Sequence, residues 1–553
     1  MISRVHSSIL QGIDAIGCEV EVDISQGATG ELKLVGLAEA AVKESVSRIQ
    51  AALRNSGYRW PGPRVIINLA PADVRKDSCA YDLAIAVAAA VAGGMLQSEK
   101  LNDYLILGEL ALDGRVRPVR GALATAMLAA REGRKGVILP AENAPEAAVV
   151  ETIDIIPVKF LTEAVGFLAD ELPIDPVGVS LDEVFAVASK YDVDFADVRG
   201  QESAKRALTI AAAGHHNVLM LGPPGTGKTM LAKRIPTILP PLSLEESLET
   251  TRIYSSRGLL ASGQSLMAVR PVRTPHHSSS SAALVGGGII PQPGEISLAH
   301  HGVLFLDEFP EFARTTLEMI RQPLEDACVT IPRVHSTLKF PAQIMLVAAM
   351  NPCPCGYYTD RSGKCKCSPF MIERYMARIS GPLIDRIDIH IEVPPVPWKQ
   401  LRGEGPAAEG LSSEQMRRQV IAARDIQRKR FGTQGSSGGS GSAGGDGSTG
   451  GNGLGGNGDT GNGPAGRSAM TIANGSTTTN ASMPPRQVRQ FCRLDTAGEA
   501  LLKQALNEMG LSARAHDKVL RMARTIADLE TSENIQAHHI AEAVQYRRLD
   551  RKM

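Results

Sequence analysis

Residues Gly222–Thr229 read GPPGTGKT, between the apolar run VLML at Val218–Leu221 and the helix-like run MLAKRIPTIL at Met230–Leu239. The octapeptide satisfies G-x-x-x-x-G-K-[ST] throughout. Small or φ-fixing residues in succession let a backbone wrap an anion with its N–H groups pointing inward. In that pattern Gly222, Pro223, Pro224, Gly225, Thr226 and Gly227 build the cradle. Lys228 reaches the β- and γ-phosphates, Thr229 ligates Mg²⁺, and the following helix offers its positive N-terminus. A mere Gly-Pro turn would need neither the strand before it nor the helix after it. The reading is a nucleoside triphosphate site that uses Mg²⁺.

Two further strand ends carry polar groups suited to hydrolysis. GVLFLDE at Gly302–Glu308 is an apolar strand closing on two carboxylates. Asp307 is placed to hold the Mg²⁺ shell, and Glu308 to orient or deprotonate a water aimed at the γ-phosphate. Asp-Glu can also simply open a helix, whose first turn favours acids. QIMLVAAMN ends in Asn351, which can hold the same water; an ordinary turn asparagine would look alike.

Length and composition bound the rest. The chain has 553 residues, room for about three to four domains with their own cores. Lys plus Arg and Asp plus Glu both number 59, so any basic surface must be local. Aromatics make up 4%, which argues against base stacking as the main mode of binding. MISRVHSSILQGIDAIG lacks the unbroken apolar core of a signal peptide. Leu83–Ala92 is too short for a bilayer and reads as a packed helix. Eight cysteines in so long a chain do not make a secreted disulfide scaffold, so a cytoplasmic protein is expected.

Texture divides the chain. Residues 1–175 alternate β-like runs (CEVEVDIS, ELKLVGL, RVIINLAP, YLILGEL, KGVILP) with Ala-rich helices, and the Pro-bearing LPIDPVGVS closes the region. Residues 190–400 carry the phosphate loop and a second set of strands. Within 401–432 a basic helix is expected over 411–431, with Arg417, Arg418, Arg424, Arg428, Lys429 and Arg430. Residues 433–482 are Gly, Ser, Asn and Thr with almost no apolar content, and are expected to be disordered. Residues 483–553 return to helix periodicity, as one helical subdomain interrupted by an insertion. The fold class is α/β, multidomain.

Four cysteines form two close pairs, Cys353 with Cys355 and Cys365 with Cys367. Two thiolate pairs joined by a short loop can fold back into a tetrahedral site for structural Zn²⁺. C-x-C is less usual than C-x-x-C, and reduced cysteines on an exposed loop are the alternative. Lys364 and Lys366 would offset thiolate charge.

The order GPPGTGKT, LFLDE, AAMN, SGPLIDRIDI and then helices resembles the AAA+ ATPases. RTPHHSSSSAALVGGGIIPQPGEISLAHHGVLFLDE and AAMNPCPCG are similar to the YifB/ComM family of the magnesium-chelatase-like branch. The resemblance implies roles. Asn351 matches sensor 1, Arg386 the arginine finger reaching a neighbouring subunit, and Arg514 the sensor 2 arginine on a helical lid. An insert in helix 2 would run over about 257–297, and the hairpin VTIPRVHSTLKFPAQIMLV would line a pore. Arg333, His335 and Lys339 in that hairpin are candidate DNA contacts, against the alternative of a solvated tip.

The family further implies a homo-oligomeric ring, expected to be a hexamer, and a motor on single-stranded or branched DNA. Its ComM members are branch-migration helicases of natural transformation. The alternatives are an ATPase subunit driving metal insertion into a tetrapyrrole, or a protein-remodelling ATPase. The first 175 residues resemble the ribosomal-S5-like proteolytic domain of Lon proteases. Ala80 stands where the nucleophilic Ser would sit and Leu123 where the Lys would sit. Ser78 and Cys79 lie nearby, but without a positioned base they are ordinary. The domain is expected not to cleave peptides.

Overall fold

The computed structural model describes residues 2–25, 31–37, 39–62, 64–187, 191–288, 290–332, 337–358, 363–398, 411–432, 479–509 and 512–547. They form two compact units. The first comprises Met1–Val193, Pro241–Ala349 and Arg378–Arg386; the second comprises Asp194–Pro240, Met350–Ala377 and Ile387–Met553. The division therefore falls inside the 190–400 segment. Among the described residues no helix is long and apolar enough to cross a membrane.

In the first unit a seven-stranded sheet runs, edge to edge, through Glu31–Val35, Arg64–Ala70, Asp14–Ser25, Ile2–Gln11, Tyr104–Ile106, Gly136–Pro140 and Asp154–Val158. Period-two alternation separates its faces. Tyr104, Ile106, Ile138, Ile156 and Val158 enter one core, covered by the helices Ala40–Asn55, Asp82–Ala92 and Leu161–Leu168. Leu105, Val137, Leu139 and Ile155 enter the other, under Ala122–Arg131 and Ala144–Ala147. The five β-like runs all fall on strands, and Leu83–Ala92 is a packed helix as expected.

One long strand escaped the sequence reading. Ile2–Gln11 pairs antiparallel with Asp14–Ser25 through a two-residue turn at Gly12, whose φ is +69°. Its buried positions include serines, which blur apolar periodicity. Two of them meet helix groups: Ser3 Oγ donates to Ala88 O at 2.7 Å, and Ser8 Oγ lies 2.7 Å from Thr125 Oγ1, while Ser7 Oγ is buried with no hydrogen-bond partner among the described residues.

The same unit holds Val303–Leu306, parallel to the strand that ends at Met350, with Val303 opposite Met345 and Leu306 opposite Ala348. Val272–Arg273 pairs parallel on its other side. The expected hairpin forms from Cys328–Pro332 and Thr337–Pro341, antiparallel. Across 257–297 lie the end of the helix Leu244–Arg257, a short helix at Ser281–Val285 and two-residue strand pieces.

In the second unit Val218–Leu221 pairs parallel with Ile389–Glu392. The expected basic helix is Ser413–Gly432, which packs with Glu202–Gly214, Lys228–Ile238 and Ala513–Leu529. Residues 433–478 lie outside the described residues. The last four of the segment expected to be disordered, 479–482, are a packed turn instead. Asn480 is fully buried, its Nδ2 donating to Asp528 Oδ2 at 2.8 Å and Thr525 Oγ1 at 3.1 Å, while its N–H meets Gln427 Oε1 at 3.1 Å. Composition counted it as polar linker, but its amide completes a buried network in which Arg430 also forks onto Asp528.

Candidate functional site

The phosphate loop belongs to the second unit, between the strand Val218–Leu221 and the helix Lys228–Ile238. Gly225 and Gly227 have φ of +79° and +91°, open to glycine at little cost. A Cβ on Gly222 would meet Val393 O at 2.3 Å. No side chain caps the helix at Gly227, which leaves that end shaped for an anion. Lys228 is buried, and its Nζ donates to Gly222 O at 2.6 Å, Pro223 O at 2.9 Å and Asn351 Oδ1 at 3.1 Å. Those acceptors orient an ammonium across the cradle, and an oxyanion there can replace them. Thr226 Oγ1 donates to Pro223 O at 3.0 Å, and Thr229 is exposed at the helix start. The residues present fit a Mg²⁺-bound polyphosphate.

Asn351 reaches the loop because Gly222 N–H donates to Met350 O at 3.2 Å, tying the strand end to the loop's first residue. Sequence reasoning missed Gln201, on left-handed backbone with φ +59°. Its Nε2 donates to Pro394 O at 2.6 Å and Thr226 O at 3.5 Å, while its Oε1 is buried without a hydrogen-bond partner among the described residues. A lone Gln before a helix carries no pattern that could have found it.

Asp307 and Glu308 lie in the first unit, at the end of Val303–Leu306. They do not open an α-helix; a short 3₁₀ turn, Phe309–Glu311, follows. Glu308 adopts φ +51° and its N–H donates to Asp307 Oδ1 at 2.9 Å. Its carboxylate meets His277 Nδ1 at 3.0 Å, and that ring is stacked on His276 and edged by Phe312. Arg386, in the same unit, donates to Pro382 O at 2.6 Å and pairs with Glu325. Lys339 is exposed; Arg333 and His335 lie outside the described residues.

Arg514 is exposed in the first turn of the helix Ala513–Leu529, in the second unit. One turn on, Lys518 Nζ meets Asp388 Oδ1 at 2.8 Å, and His216 Nδ1 lies 3.4 Å from Asp388 Oδ2. Burial by itself would raise Asp388, but Lys518 and His216 hold it far below the usual carboxylate range.

Also in the second unit, Cys353, Cys355, Cys365 and Cys367 converge, with all four sulfurs within 4.8 Å of one another. Three of the separations are 3.3, 3.8 and 3.7 Å. A tetrahedron of sulfurs about 2.3 Å from a zinc ion has edges of about 3.8 Å. Backbone N–H groups of Tyr357 and Lys366 point at Cys355 Sγ and draw its thiol down to about 6. Cys367 receives an N–H from Cys355, yet its thiol is pushed up to about 12 by the neighbouring sulfurs. Donors aimed at sulfur are what thiolate ligands require.

The positions aligned with the Lon dyad are sealed. Ala80 is 5% exposed and Leu123 fully buried. Ser78 Oγ is occupied in accepting Ala80 N–H at 3.1 Å, and burial pushes the Cys79 thiol up, away from the reactive thiolate. Beside Leu123 the buried Glu146 accepts Leu123 N–H at 2.9 Å and the Ser255 hydroxyl, while Ser255 Oγ takes Gly121 N–H at 3.1 Å. This corner joins two parts of the first unit.

The loop, the uncapped helix and the polar strand ends define a P-loop nucleotide-binding protein. Family models agree: "Magnesium chelatase, subunit ChlI" matches residues 194–401, "Subunit ChlI of Mg-chelatase" matches 20–143, and its C-terminal model matches 465–547. The uncharacterized protein YifB of Escherichia coli K12 is 40% identical over 551 residues, covering 100% of this chain and 98% of the relative. The competence protein ComM of Haemophilus influenzae is 39% identical over 551 residues, covering 99% and 97%. Lon protease 2 of Bacillus subtilis is 32% identical over 162 residues, 26% of this chain and 27% of the protease. The chain belongs to the YifB/ComM family of magnesium-chelatase-like AAA+ ATPases.

Proposed function

We propose that this chain is a Mg²⁺-dependent ATPase of a ring-forming motor that acts on DNA, a branch-migration helicase of the ComM kind. The observation that carries the nucleotide part is the convergence of Lys228 and Asn351 on one loop. The DNA part rests on full-length kinship to a protein named for competence. In this reading the cradle Gly222–Gly227 and Lys228 bind and orient the phosphates, and Thr229 and Asp307 hold Mg²⁺, which supplies charge neutralisation when bound. Glu308 takes the proton of the attacking water and Asn351 orients that water. Arg386 serves a neighbouring subunit, and Arg514 reports the nucleotide to the lid. Ion pairing of Arg386 with Glu325 stores the finger until a neighbour offers a stronger anion.

The proposed domains are a non-proteolytic S5-like domain over 1–175, an ATPase core over 190–400 with its helix-2 insert, and a lid over 401–432 and 483–553 interrupted by 433–482. We assign Zn²⁺ to the four cysteines as structural metal, and DNA contacts to the hairpin through Lys339. A hexameric ring in the cytoplasm completes the reading.

The test is steady-state ATP hydrolysis with single-stranded DNA, branched DNA, a porphyrin or an unfolded protein added in turn. Stimulation by DNA is expected. A rate unmoved by either DNA but raised by porphyrin or unfolded protein overturns the motor reading. Glu308→Gln should still bind ATP and assemble, with turnover reduced about 10²–10⁴-fold; loss of binding would show that the acid is misassigned.

A further inference from the structure

The cysteine knuckle and the phosphate loop are in contact, and the contact is built around a missing side chain. Gly356 follows Cys355 on left-handed backbone, φ +85°, and its N–H donates to Cys353 O at 2.9 Å. A Cβ there would stand 2.7 Å from Pro224 Cδ, inside the loop's Pro-Pro step, and 3.9 Å from Asn351 Cγ. Cys353 is fully buried two residues after Asn351. The first ligand pair, the loop and the residue that grips Lys228 therefore share one wall.

We infer that the metal held by Cys353, Cys355, Cys365 and Cys367 braces the nucleotide site, so that metal occupancy sets nucleotide affinity. The inference rests on the assignment of zinc to the four thiolates. Without the ion, four sulfurs at these distances lose the charge that holds them together, and thiolate repulsion or protonation opens the knuckle. The wall against Pro224 then loosens, and Asn351 loses the fixed backbone that points its amide oxygen at Lys228. Binding by a loop of backbone N–H groups depends on pre-organisation, so a loosened loop is a weaker binder rather than an unfolded one. The coupling is reciprocal: bound nucleotide should retain the metal more tightly.

Four experiments on the full chain test this. Cobalt(II) added to the metal-stripped protein should give the intense absorption of a tetrahedral thiolate site, at one ion per chain. In excess Mg²⁺, a zinc-selective chelator should weaken binding of a fluorescent ATP analogue about tenfold, the scale at which supporting shells act on a site. Gly356→Ala should keep the cobalt absorption yet weaken the analogue, because the added methyl pushes Pro224 while the ligands stay. Cys365→Ser should lose both.

If no thiolate absorption appears, the metal assignment itself fails. If the ion binds but its removal leaves nucleotide affinity within about twofold, the brace fails while the metal stands. Should Cys365→Ser lose its helical circular dichroism, the chelator titration and Gly356→Ala decide the matter alone.

Discussion

Among the described residues, two kinds of side-chain cluster place metal-ligand atoms within 4.8 Å of one another: the four-cysteine knuckle, and the His-His-Glu groups Glu249–His300–His301 and Glu530–His538–His539. Proximity makes them look alike. The backbone amides beside them do not. At the knuckle, N–H groups of Tyr357 and Lys366 are aimed at sulfur and favour the thiolate. At the histidines, Gln343 N–H donates into His300 Nδ1 at 3.0 Å, and Gln536 N–H into His539 Nδ1 at 2.9 Å. A neutral ring that accepts at Nδ1 carries its proton on Nε2. That proton goes to Glu249, 3.1 Å from His300, and to Glu530, 3.1 Å from His539. Neither His300 nor His539 then has a ring lone pair left for an ion. One cluster is a set of thiols supported by backbone amides, and the other two are hydrogen-bonded pins. The general lesson is that the second neighbour of a ligand atom decides its chemistry.

The sharpest way to break this contrast is Cys353→Ser. It should lower metal affinity at least about tenfold, read as metal retained after gel filtration. Full retention would put the knuckle in the same class as the pins. His300→Ala should leave metal content untouched but lower unfolding stability by roughly 1–3 kcal/mol in urea titration, since Gln343 N–H loses its buried partner. A drop in bound metal instead would show that the histidines are ligands after all.

A pH series sharpens the same point. Hydrogen bonds from His300 and then His301 hold Glu249 well below the ordinary carboxylate range. A depressed folded value contributes stability above the unfolded pKa of about 4.3 and loses it as pH falls further. Burial and the neighbouring His301 push His300 down to about 4, so it is neutral near pH 7 and gains its proton only at the acid end of the series. Glu249→Gln should therefore melt below the parent near pH 7, with the difference shrinking below about pH 4; a pH-independent difference would remove the carboxylate from the account. The smallest effect belongs to Glu530→Gln, roughly 0.5–1.5 kcal/mol, because Glu530 and His538 are 39% and 57% exposed. A loss as large as that of His300→Ala would show that exposure is a poor guide to these pins.

Legibility followed the range of the signal. GPPGTGKT was readable because its whole pattern lies in eight neighbouring residues, and its strand and helix lie where the flanks place them. Strands such as Arg64–Ala70 and Gly136–Pro140 were readable from their own apolar residues. Ile2–Gln11 was not, because the buried serines Ser3, Ser7 and Ser8 interrupt its apolar pattern. His277 on Glu308, Glu325 on Arg386 and Gln201 beside Thr226 were invisible for another reason. Each pair is joined by folding across 25 or more positions, and no local pattern marks the partner.

What the sequence determined by itself was the identity of the chemical groups: a glycine-rich loop with its lysine, two acids and an asparagine at strand ends, four thiols in two pairs. A linear motif specifies these because its backbone conformation and its side chains come from the same few residues. What only the tertiary structure decided was their relations. Lys228 meets Asn351 across 123 positions. The four sulfurs come within 4.8 Å of one another, Pro224 rests against Gly356, and Ala80 and Leu123 are sealed in the core. Those relations depend on which surfaces pack together, and packing is settled by the burial of the whole chain rather than by any stretch of it.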